Sequence, residues 1–561
     1  MKDQFEQILP NVRRPARYIG NELNSIHKDW ETVKIKVALA YPDLYEIGMS
    51  NLAIQILYYI LNNEPDVVAE RVFCPAPDLE EQLSANNFPL STLESLKPIN
   101  QCDLIGISLG HELTYTNIIT MLKLGNIPIY SRDRKDSDPL IMAGGPCSFN
   151  PEPVAEFFDF FVIGEAEEVI VEIVKLLQCY IDKTRQEKLE ALAKLPGIFV
   201  PQFNNSTMKQ SNNKVVKQII KDFNNVPYPI KPIVPFIEAI HDRAVVEIMR
   251  GCKWGCKFCQ AGWVSRPMRT KSIEKITTLT EHLIQNTGYE ELSLISLSSS
   301  DYPQIDKLAK SLADKYSQQK ISIALPSLRS NNFSIKLAKE ISRVRPSGIT
   351  IAPEAGTQRL RDVIGKQLSE EDILESVKTA FEEGIESIKL YFMIGLPSET
   401  DEDLLGICEL ARKILQTGKA ISKRARITVN LSTFIPKPHT PLQWEEQITI
   451  EETFAKQRLI KENLKVKSIQ VRWHHAEASF LEGVFSRGDK KLAKVIEKAW
   501  ELGARLDAWS EHFKFDLWQK AFAECGLDPN EYLKARAKEK SLPWDYIDTG
   551  VPKEILLRAA G

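Results

Sequence analysis

The sequence predicts an α/β protein in three parts: an open, doubly wound sheet domain, a partial barrel of six βα units, and a mostly helical region. Three observations predict this order. Apolar runs of strand length alternate with amphipathic helical patterns through the first two parts. A segment rich in Asn, Lys and Pro separates those two parts, and a charged stretch with several tryptophans follows them. The predicted boundaries are 1–201 for the sheet domain, 202–236 for a linker, 237–450 for the barrel and 451–561 for a helical cap.

The composition is that of a globular protein and excludes several other classes. Of the 561 residues, 43% are hydrophobic and 26% are charged, which excludes a disordered or collagen-like chain. The formal net charge of −3 provides no general attraction to nucleic acid or to an anionic membrane. The first residues lack the apolar core of a secretory signal, and no apolar run approaches the ~20 residues of a membrane span. We therefore expect a cytoplasmic protein with no membrane partner.

The first part contains short apolar runs that are typical of buried parallel strands. These runs are Val33–Ala40, Leu104–Ser108, Leu140–Ala143 and Phe160–Ile163. Helical patterns between them favour a Rossmann-like sheet, and turns containing Gly or Pro follow several of the runs. Because open parallel sheets bind ligands at the carboxyl ends of their strands, these turns are the candidate site of this domain.

The second part repeats the same alternation six times. The strand-like runs are Ala244–Met249, Glu291–Leu297, Ile321–Leu325, Gly348–Ala352, Ile385–Phe392 and Arg426–Leu431. Successive βα units of this kind predict a parallel barrel similar to a TIM barrel, either complete or partial.

Cysteine usage indicates a metal centre rather than disulfides. Six of the nine cysteines are scattered singly, which favours a reducing compartment. The other three, Cys252, Cys256 and Cys259, directly follow the first strand of the barrel. Three thiolates on one loop suit an iron–sulfur cluster or zinc. A structural metal site usually has four protein ligands, so three indicate an open position where a substrate or cofactor binds.

The C-x3-C-x2-C spacing, with Phe258 before the third cysteine, resembles the signature of the radical S-adenosylmethionine (SAM) superfamily. The resemblance implies a [4Fe-4S] cluster on Cys252, Cys256 and Cys259, with SAM on the fourth iron. It implies reductive cleavage of SAM to a 5′-deoxyadenosyl radical, and an electron donor such as ferredoxin or flavodoxin. The alternatives are a zinc knuckle or a chance group of core cysteines.

Further positions along the barrel match the same superfamily. The implied SAM contacts are Phe258 on the cysteine loop, Ser298 and Ser300 after the second strand, Arg329 after the third, Glu354 after the fourth, and Gly395 and Glu399 after the fifth. Most have a structural alternative: Ser300 or Asp301 would cap a helix, Arg329 would be a surface residue, and the segment containing Glu399 would form a turn before a helix. The order of these motifs along one barrel favours the SAM site.

A sheet domain before such a barrel resembles the cobalamin-binding subgroup. In that subgroup the first loop has the pattern D-x-H-x-x-G, whereas this chain has Asp43, Tyr45 and Gly48, with tyrosine in place of the histidine. Ser108, Gly144 and Gly145 lie where the subgroup contacts the nucleotide tail of cobalamin. Two interpretations remain open: cobalamin binds without a protein imidazole, or the domain has lost the cofactor and recognises substrate.

Nearly the whole chain resembles one uncharacterised family of cobalamin-type radical SAM proteins, including segments 479–489 and 507–512. Three functions follow as hypotheses. The first is a radical SAM enzyme that, with cobalamin, methylates an unreactive carbon. The second is cobalamin-independent modification of tRNA or protein, and the third is a non-catalytic iron–sulfur scaffold. The substrate is not implied.

Basic residues surround the cysteines and form a rim that RNA would contact. They are Arg243, Arg250, Lys253, Lys257, Arg266, Arg269, Lys271 and Lys275. RNA is not the favoured partner, because the cysteines of a second cluster and a clear RNA-binding tail are absent from the sequence.

Overall fold

The structure, a computed structural model, describes residues 2–203, 214–326 and 349–561. The strands are β1 Ile35–Tyr41, β2 Val67–Phe73, β3 Leu104–Ser108, β4 Leu140–Gly144, β5 Phe160–Val162, β6 Ile198–Phe199, β7 Val215–Val216, β8 Ala244–Glu247, β9 Met249–Arg250, β10 Arg269–Thr270, β11 Glu291–Ile295, β12 Ser322–Ala324, β13 Ile349–Glu354, β14 Ser387–Ile394, β15 Arg426–Thr433, β16 Ile469–Trp473 and β17 Ile547–Asp548.

The helices alternate with these strands through the first two parts and dominate the last. They are α1 Lys2–Ile8, α2 Tyr45–Met49, α3 Leu52–Asn63, α4 Pro77–Ala85, α5 Tyr115–Leu124, α6 Val169–Cys179, α7 Arg185–Leu192, α8 Gln260–Val264, α9 Ile273–Thr287, α10 Ile305–Tyr316, α11 Gln358–Val363, α12 Glu370–Glu382, α13 Asp401–Ile421, α14 Ile450–Asn463, α15 Ala476–Ser486, α16 Leu492–Glu501, α17 Phe515–Glu524, α18 Asn530–Leu533 and α19 Lys553–Ala560. Among the described residues, no helix has the length and apolar character needed to cross a bilayer. The predicted α/β class is confirmed.

The first sheet has the strand order β2-β1-β3-β4-β5-β6, with β6 alone antiparallel. Alternate residues of β1 enter two separate cores, Ala38 and Ala40 on one face and Val37 and Leu39 on the other. Apolar side chains on both faces explain why the part of the strand after Lys36 appears in the sequence as a continuous apolar run. Strand β1 lies between β2 and β3, so the chain first crosses from β1 to β2 on one side and then from β2 to β3 on the other side of β1. This reversal opens a crevice at the carboxyl ends of β1 and β3.

Two parallel arcs form the barrel, β12-β11-β8 and β13-β14-β15-β16. Helices α12, α13 and α14 cover the outer face of the second arc and bury Leu390, Val429 and similar residues. The six predicted strands are present, and β16 adds a seventh within the segment that we predicted to be a helical cap. The βα alternation therefore continues past residue 450.

The C-terminal helices pack against the first sheet domain. Val484 of α15, Ile496 of α16 and Trp518 of α17 share a core with Ile118 of α5 and with Phe157. Two buried hydrogen bonds reinforce this contact: Thr116 Oγ1 donates to Asp507 Oδ2 at 2.7 Å, and Trp509 Nε1 donates to Asp43 Oδ1 at 2.7 Å. The last part of the chain thus covers the first part as well as following the barrel.

Candidate functional site

The three clustered cysteines lie on the loop between β9 and α8, beyond the carboxyl end of β8, and all three are half-buried. Gly251 begins the loop with φ +86, and a Cβ there would lie 2.7 Å from the carbonyl oxygen of Pro267. Cys259 caps α8, since its Sγ accepts a hydrogen bond from the Gly262 amide at 3.4 Å. The backbone therefore presents three thiols on one short, tightly turned segment.

Electrostatics show that the thiols are close enough to affect one another. Burial raises the pKa of the Cys259 thiol, and the charges of Cys256, Cys252 and Glu354 raise it further. A bound cation lowers the pKa of such thiols, because it stabilises the thiolates that neighbouring negative charges destabilise. The donor set of three soft thiolates therefore fits an iron–sulfur cluster.

Backbone and apolar contacts hold the cysteine loop against the rest of the barrel. The Lys257 amide donates to the Ile364 carbonyl at 2.9 Å, and the Trp263 indole donates to the Cys256 carbonyl at 2.9 Å. Phe258 packs against an apolar cluster formed by Ala355, Leu360, Ile364, Met393, Leu396, Phe434 and Leu442. Phe258 therefore anchors the loop, and its contact with SAM stays a prediction.

Asp301 joins the cysteine loop to the loop that follows β11. Its carboxylate accepts hydrogen bonds from Ser298 Oγ and from the Trp254 indole, and it pairs with Lys253 Nζ at 3.0 Å. Ser298 and Ser300 both belong to this turn, as the sequence predicted. Sequence reasoning gave Asp301 no contact with the cysteine loop, because its partners there are distant in the chain.

Glu354, at the end of β13, is held beside the cysteines. Burial raises the pKa of its carboxyl, and Lys366 Nζ lies 3.2 Å from Glu354 Oε1 and opposes that effect. Its φ of +70 is rare for a residue with a side chain, and such strained positions cluster at functional sites. Glu354 lies next to Cys259, and its contact with SAM stays a prediction.

The predicted motif after β14 is a tightly bonded turn. The Glu399 carboxylate, with a side chain 2% exposed, accepts from the Gly395 amide at 2.9 Å and pairs with Lys456 at 2.9 Å. Gly395 has φ +80, and a Cβ there would lie 2.6 Å from Ile448. Glu399 therefore fits the structural alternative, in which its segment forms a turn before a helix. Its role in the SAM pocket would be to order the backbone at 395–396. Arg329 lies outside the described residues.

A cavity of about 330 Å³ occupies the crevice of the first sheet. The predicted residues Ser108, Gly144 and Gly145 all line it, together with further glycines of the strand ends. A Cβ on Gly144 would meet only the Val162 carbonyl oxygen, at 3.9 Å, so this glycine leaves open space in the cavity. From the barrel side, Glu247 and Arg250 complete the lining. The cavity thus lies between the sheet domain and the strand that leads to the cysteines.

The loop with the Asp43, Tyr45 and Gly48 pattern does not line that cavity. The Tyr45 hydroxyl is buried and donates to Glu22 Oε1 at 2.8 Å, while Asp43 accepts from the Trp509 indole. Because Gly48 has no side chain, the Phe73 ring packs closely against it, and a Cβ at Gly48 would lie 2.2 Å from that ring. These three residues are therefore packed within the protein, and their contact with a cofactor stays a prediction.

Ion pairs bridge the cavity floor and account for much of the basic rim. The pairs are Arg250 with Glu167 and Glu247 at 2.7 Å each, Arg269 with Glu165, Arg243 with Glu291 at 2.7 Å, and Lys253 with Asp301. Lys271 is buried, and burial lowers its pKa to about 8. These cations have partners within the protein, which lowers the positive charge that the rim presents to solvent.

A second polar cluster joins all three parts of the chain. Lys437 Nζ, after β15, lies 2.7 Å from Glu112 Oε1 and 2.8 Å from Glu482 Oε1, and His111 Nε2 lies 3.5 Å from Glu482. Burial opposes ionisation of Glu482, but Lys437 and His111 hold its pKa well below the usual range. The ammonium group occupies the position between the carboxylates where a metal ion would bind. No local sequence pattern connects His111 with Glu482 or Lys437, which are distant in the chain.

Comparisons with known proteins give one consistent result. The family model described as "Radical SAM proteins, N-terminal" matches residues 53–201, and the "Radical SAM superfamily" model matches residues 246–411, together more than half of the chain. An uncharacterised protein of Methanocaldococcus jannaschii is 29% identical over 89% of this chain and 98% of its own length.

Two characterised proteins are more distantly similar. Ribosomal protein uS12 methylthiotransferase RimO of Thermotoga maritima is 22% identical over 49% of this chain and 67% of its own length. The radical SAM methyltransferase TsrM of Kitasatospora setae, solved with cobalamin and a [4Fe-4S] cluster bound, covers 73% of this chain and 74% of its own. Its sequence identity is 13% and the TM-score is 0.49.

Proposed function

Because the chain belongs to the radical SAM superfamily, we propose that it methylates an unreactive carbon of its substrate with the help of a corrinoid. Membership makes it an enzyme that uses a [4Fe-4S] cluster and SAM, and it needs a reductant and a substrate. Cys252, Cys256 and Cys259 would hold the cluster, which supplies one electron for the reductive cleavage of SAM. The proposed reductant is a ferredoxin or flavodoxin.

The remaining residues of the site would position these groups. Asp301 fixes the cysteine loop, and the turn ordered by Glu399 presents backbone groups beside it. Glu354, buried beside Cys259, would accept a hydrogen bond from a hydroxyl or ammonium group of SAM. None of the nine cysteines, all of which lie in the described residues, is paired in a disulfide, which supports the proposed cytoplasmic location.

The cavity of the first sheet is the observation that carries the corrinoid proposal. Its volume of about 330 Å³ is in the range of ligand pockets, and its lining of glycines and apolar side chains suits a flat heterocycle. Ser108, Gly144 and Gly145 would contact the nucleotide tail of the corrinoid, and a carboxylate–arginine group closes the cavity toward the cysteine loop. A ligand there would extend from the sheet domain toward the barrel.

The test is an absorption spectrum of protein purified without oxygen, incubated with hydroxocobalamin and then desalted. We expect broad visible absorption from the cluster together with retained corrinoid bands. Cys256→Ser should lose the cluster absorption, while Cys179→Ser, which removes an exposed thiol far from the loop, should keep it. Absence of cluster absorption in the wild-type protein would refute the assignment of the three cysteines.

The same spectrum tests a second candidate function. Cluster absorption without corrinoid bands would favour cobalamin-independent modification of tRNA or protein, with the sheet domain recognising the substrate. The similarity to RimO and the packed Asp43–Gly48 loop support this alternative. A cluster that never yields 5′-deoxyadenosine from SAM would instead favour a non-catalytic scaffold.

A further inference from the structure

The inner face of the second barrel arc is polar and open. Alternate residues of β14 and β15, such as Leu390 and Val429, pack outward under the helices. Because successive side chains of a strand point to opposite faces, the residues between them face the interior. Those on β14, β15 and β16 are Lys389, Tyr391, Thr428, Asn430, Gln470 and Arg472. Closed barrels fill this space with branched apolar side chains, so a polar and exposed interior indicates a binding surface.

The strand register arranges these residues in two rows. Tyr391 lies opposite Asn430, which lies opposite Arg472, and this row is nearer the cysteine loop. Lys389, Thr428 and Gln470 form the row below it. Tyr391 is 41% exposed, and Lys389 and Arg472 are also exposed. A molecule entering the arc would meet an aromatic ring, amide and hydroxyl groups, and two cations.

The two cations of this face are not neutralised by carboxylates. Arg472 Nη2 donates to Gln470 Oε1 at 3.1 Å. Ion pairs elsewhere on the arc involve other residues, Arg424 with Glu386 and Lys456 with Glu399. In the part of the chain that the structure describes, no carboxylate lies within ion-pair distance of Lys389 or Arg472. The face therefore carries two uncompensated positive charges.

The positions of the two cations suit one acidic group. Neighbouring strands are ~4.8 Å apart and residues two apart along a strand are ~6.8 Å apart, so the Cα atoms of Lys389 and Arg472 are separated by about 12 Å. Both side chains are long enough to reach an anion lying between them. Arginine forms paired hydrogen bonds to carboxylate or phosphate, and lysine adds a point charge.

We propose that this face binds the substrate through a carboxylate or phosphate group held by Arg472 and Lys389, with Tyr391 against its adjoining carbon skeleton. The substrate is thus an organic anion whose acidic end lies deep in the arc and whose reacting carbon points toward the cysteine loop. The inference rests on the proposed function, since it names the substrate class for the same site.

Calorimetric titration of the reconstituted protein, with SAM present, tests the proposal. The probes are malonate for a carboxylate and inorganic pyrophosphate for a phosphate. We expect binding to weaken about tenfold or more in Arg472→Gln and in Lys389→Gln, and less in Arg472→Lys, which keeps the charge. Lys467→Gln removes an exposed lysine just before β16, outside the face, and should bind both probes as the wild type does.

The outcomes separate this inference from the function on which it rests. Tighter binding of pyrophosphate would identify a phosphorylated substrate, and tighter binding of malonate a carboxylic acid. Equal affinity in the wild type and the two Gln variants, or an equal loss in Lys467→Gln, would overturn the proposed anion site. If the wild-type protein shows the cluster but binds neither probe, only the inference fails. If it lacks the cluster, the proposed function fails.

Discussion

Filling the cavity of the first sheet with one side chain should weaken corrinoid binding and leave the cluster in place. Gly144→Leu is the most direct change, because a Cβ at Gly144 meets only the Val162 carbonyl oxygen, at 3.9 Å. The leucine side chain therefore extends into the cavity of about 330 Å³ and does not collide with the strand. Overlap between a new side chain and a bound ring costs about 1–3 kcal/mol, which corresponds to roughly five- to 150-fold weaker binding.

Equilibrium dialysis against hydroxocobalamin, with absorption spectra of the retained protein, measures the effect. Gly144→Ala is the matched control, because a methyl group fits in ordinary contact with Val162 and leaves the cavity nearly empty. We expect the alanine variant to bind corrinoid like the wild type and the leucine variant to bind it weakly, with equal cluster absorption in both. Equal corrinoid affinity of the two variants would refute the assignment of this cavity.

Three further predictions concern the supports of the site and the stability of the fold. Asp301→Asn should release iron to a chelator about 10- to 100-fold more readily, because it removes the charge that holds the cysteine loop; an unchanged release rate would show that the loop is held by its other contacts. Arg71→Met should lower the free energy of unfolding by about 3–5 kcal/mol, because Glu22 and Glu94 would stay buried without their partner; a loss below about 1 kcal/mol would contradict this. Burial lowers the pKa of His439 to about 4, below the ~6.5 of an unfolded chain, so protons bind preferentially to the unfolded state between these values. Stability should therefore fall by about 2 kcal/mol from pH 7 to pH 5, and His439→Gln, compared by denaturant unfolding, should lack this part of the pH dependence.

Strands whose apolar residues are continuous or alternate could be predicted from the sequence, and a strand with two adjacent charged residues at its centre could not. The runs that became β3 and β4 are continuous and apolar, and β1 has a single charged residue, Lys36, near its start, so their pattern is sufficient. Strand β2 was missed because Glu70 and Arg71 interrupt it. Arg71 is buried there only because Glu22 and Glu94, which are distant in sequence, surround it. Pairing of that kind depends on the completed fold.

The same distinction separates the parts of the site that sequence reasoning found from those it missed. Cys252, Cys256 and Cys259 lie within eight residues, so their spacing alone identifies a metal centre. Asp301 and Lys437 act through residues brought from other segments, so their partners are not visible in the local sequence. Glu399 is the opposite case. Its motif is recognisable in the local sequence, but its carboxylate accepts a hydrogen bond from the Gly395 amide and holds the turn together.

Packing of the C-terminal helices on the first sheet has a consequence for biosynthesis. A ribosome completes the segment around Asp43 and Thr116 long before it makes Asp507 and Trp509, which bury those two side chains. Until then the sheet domain exposes the apolar face that Trp518 and its neighbours later cover. The nascent chain therefore holds an unfinished domain while the whole barrel is synthesised. Its dependence on chaperones should be greatest for products truncated shortly before residue 507.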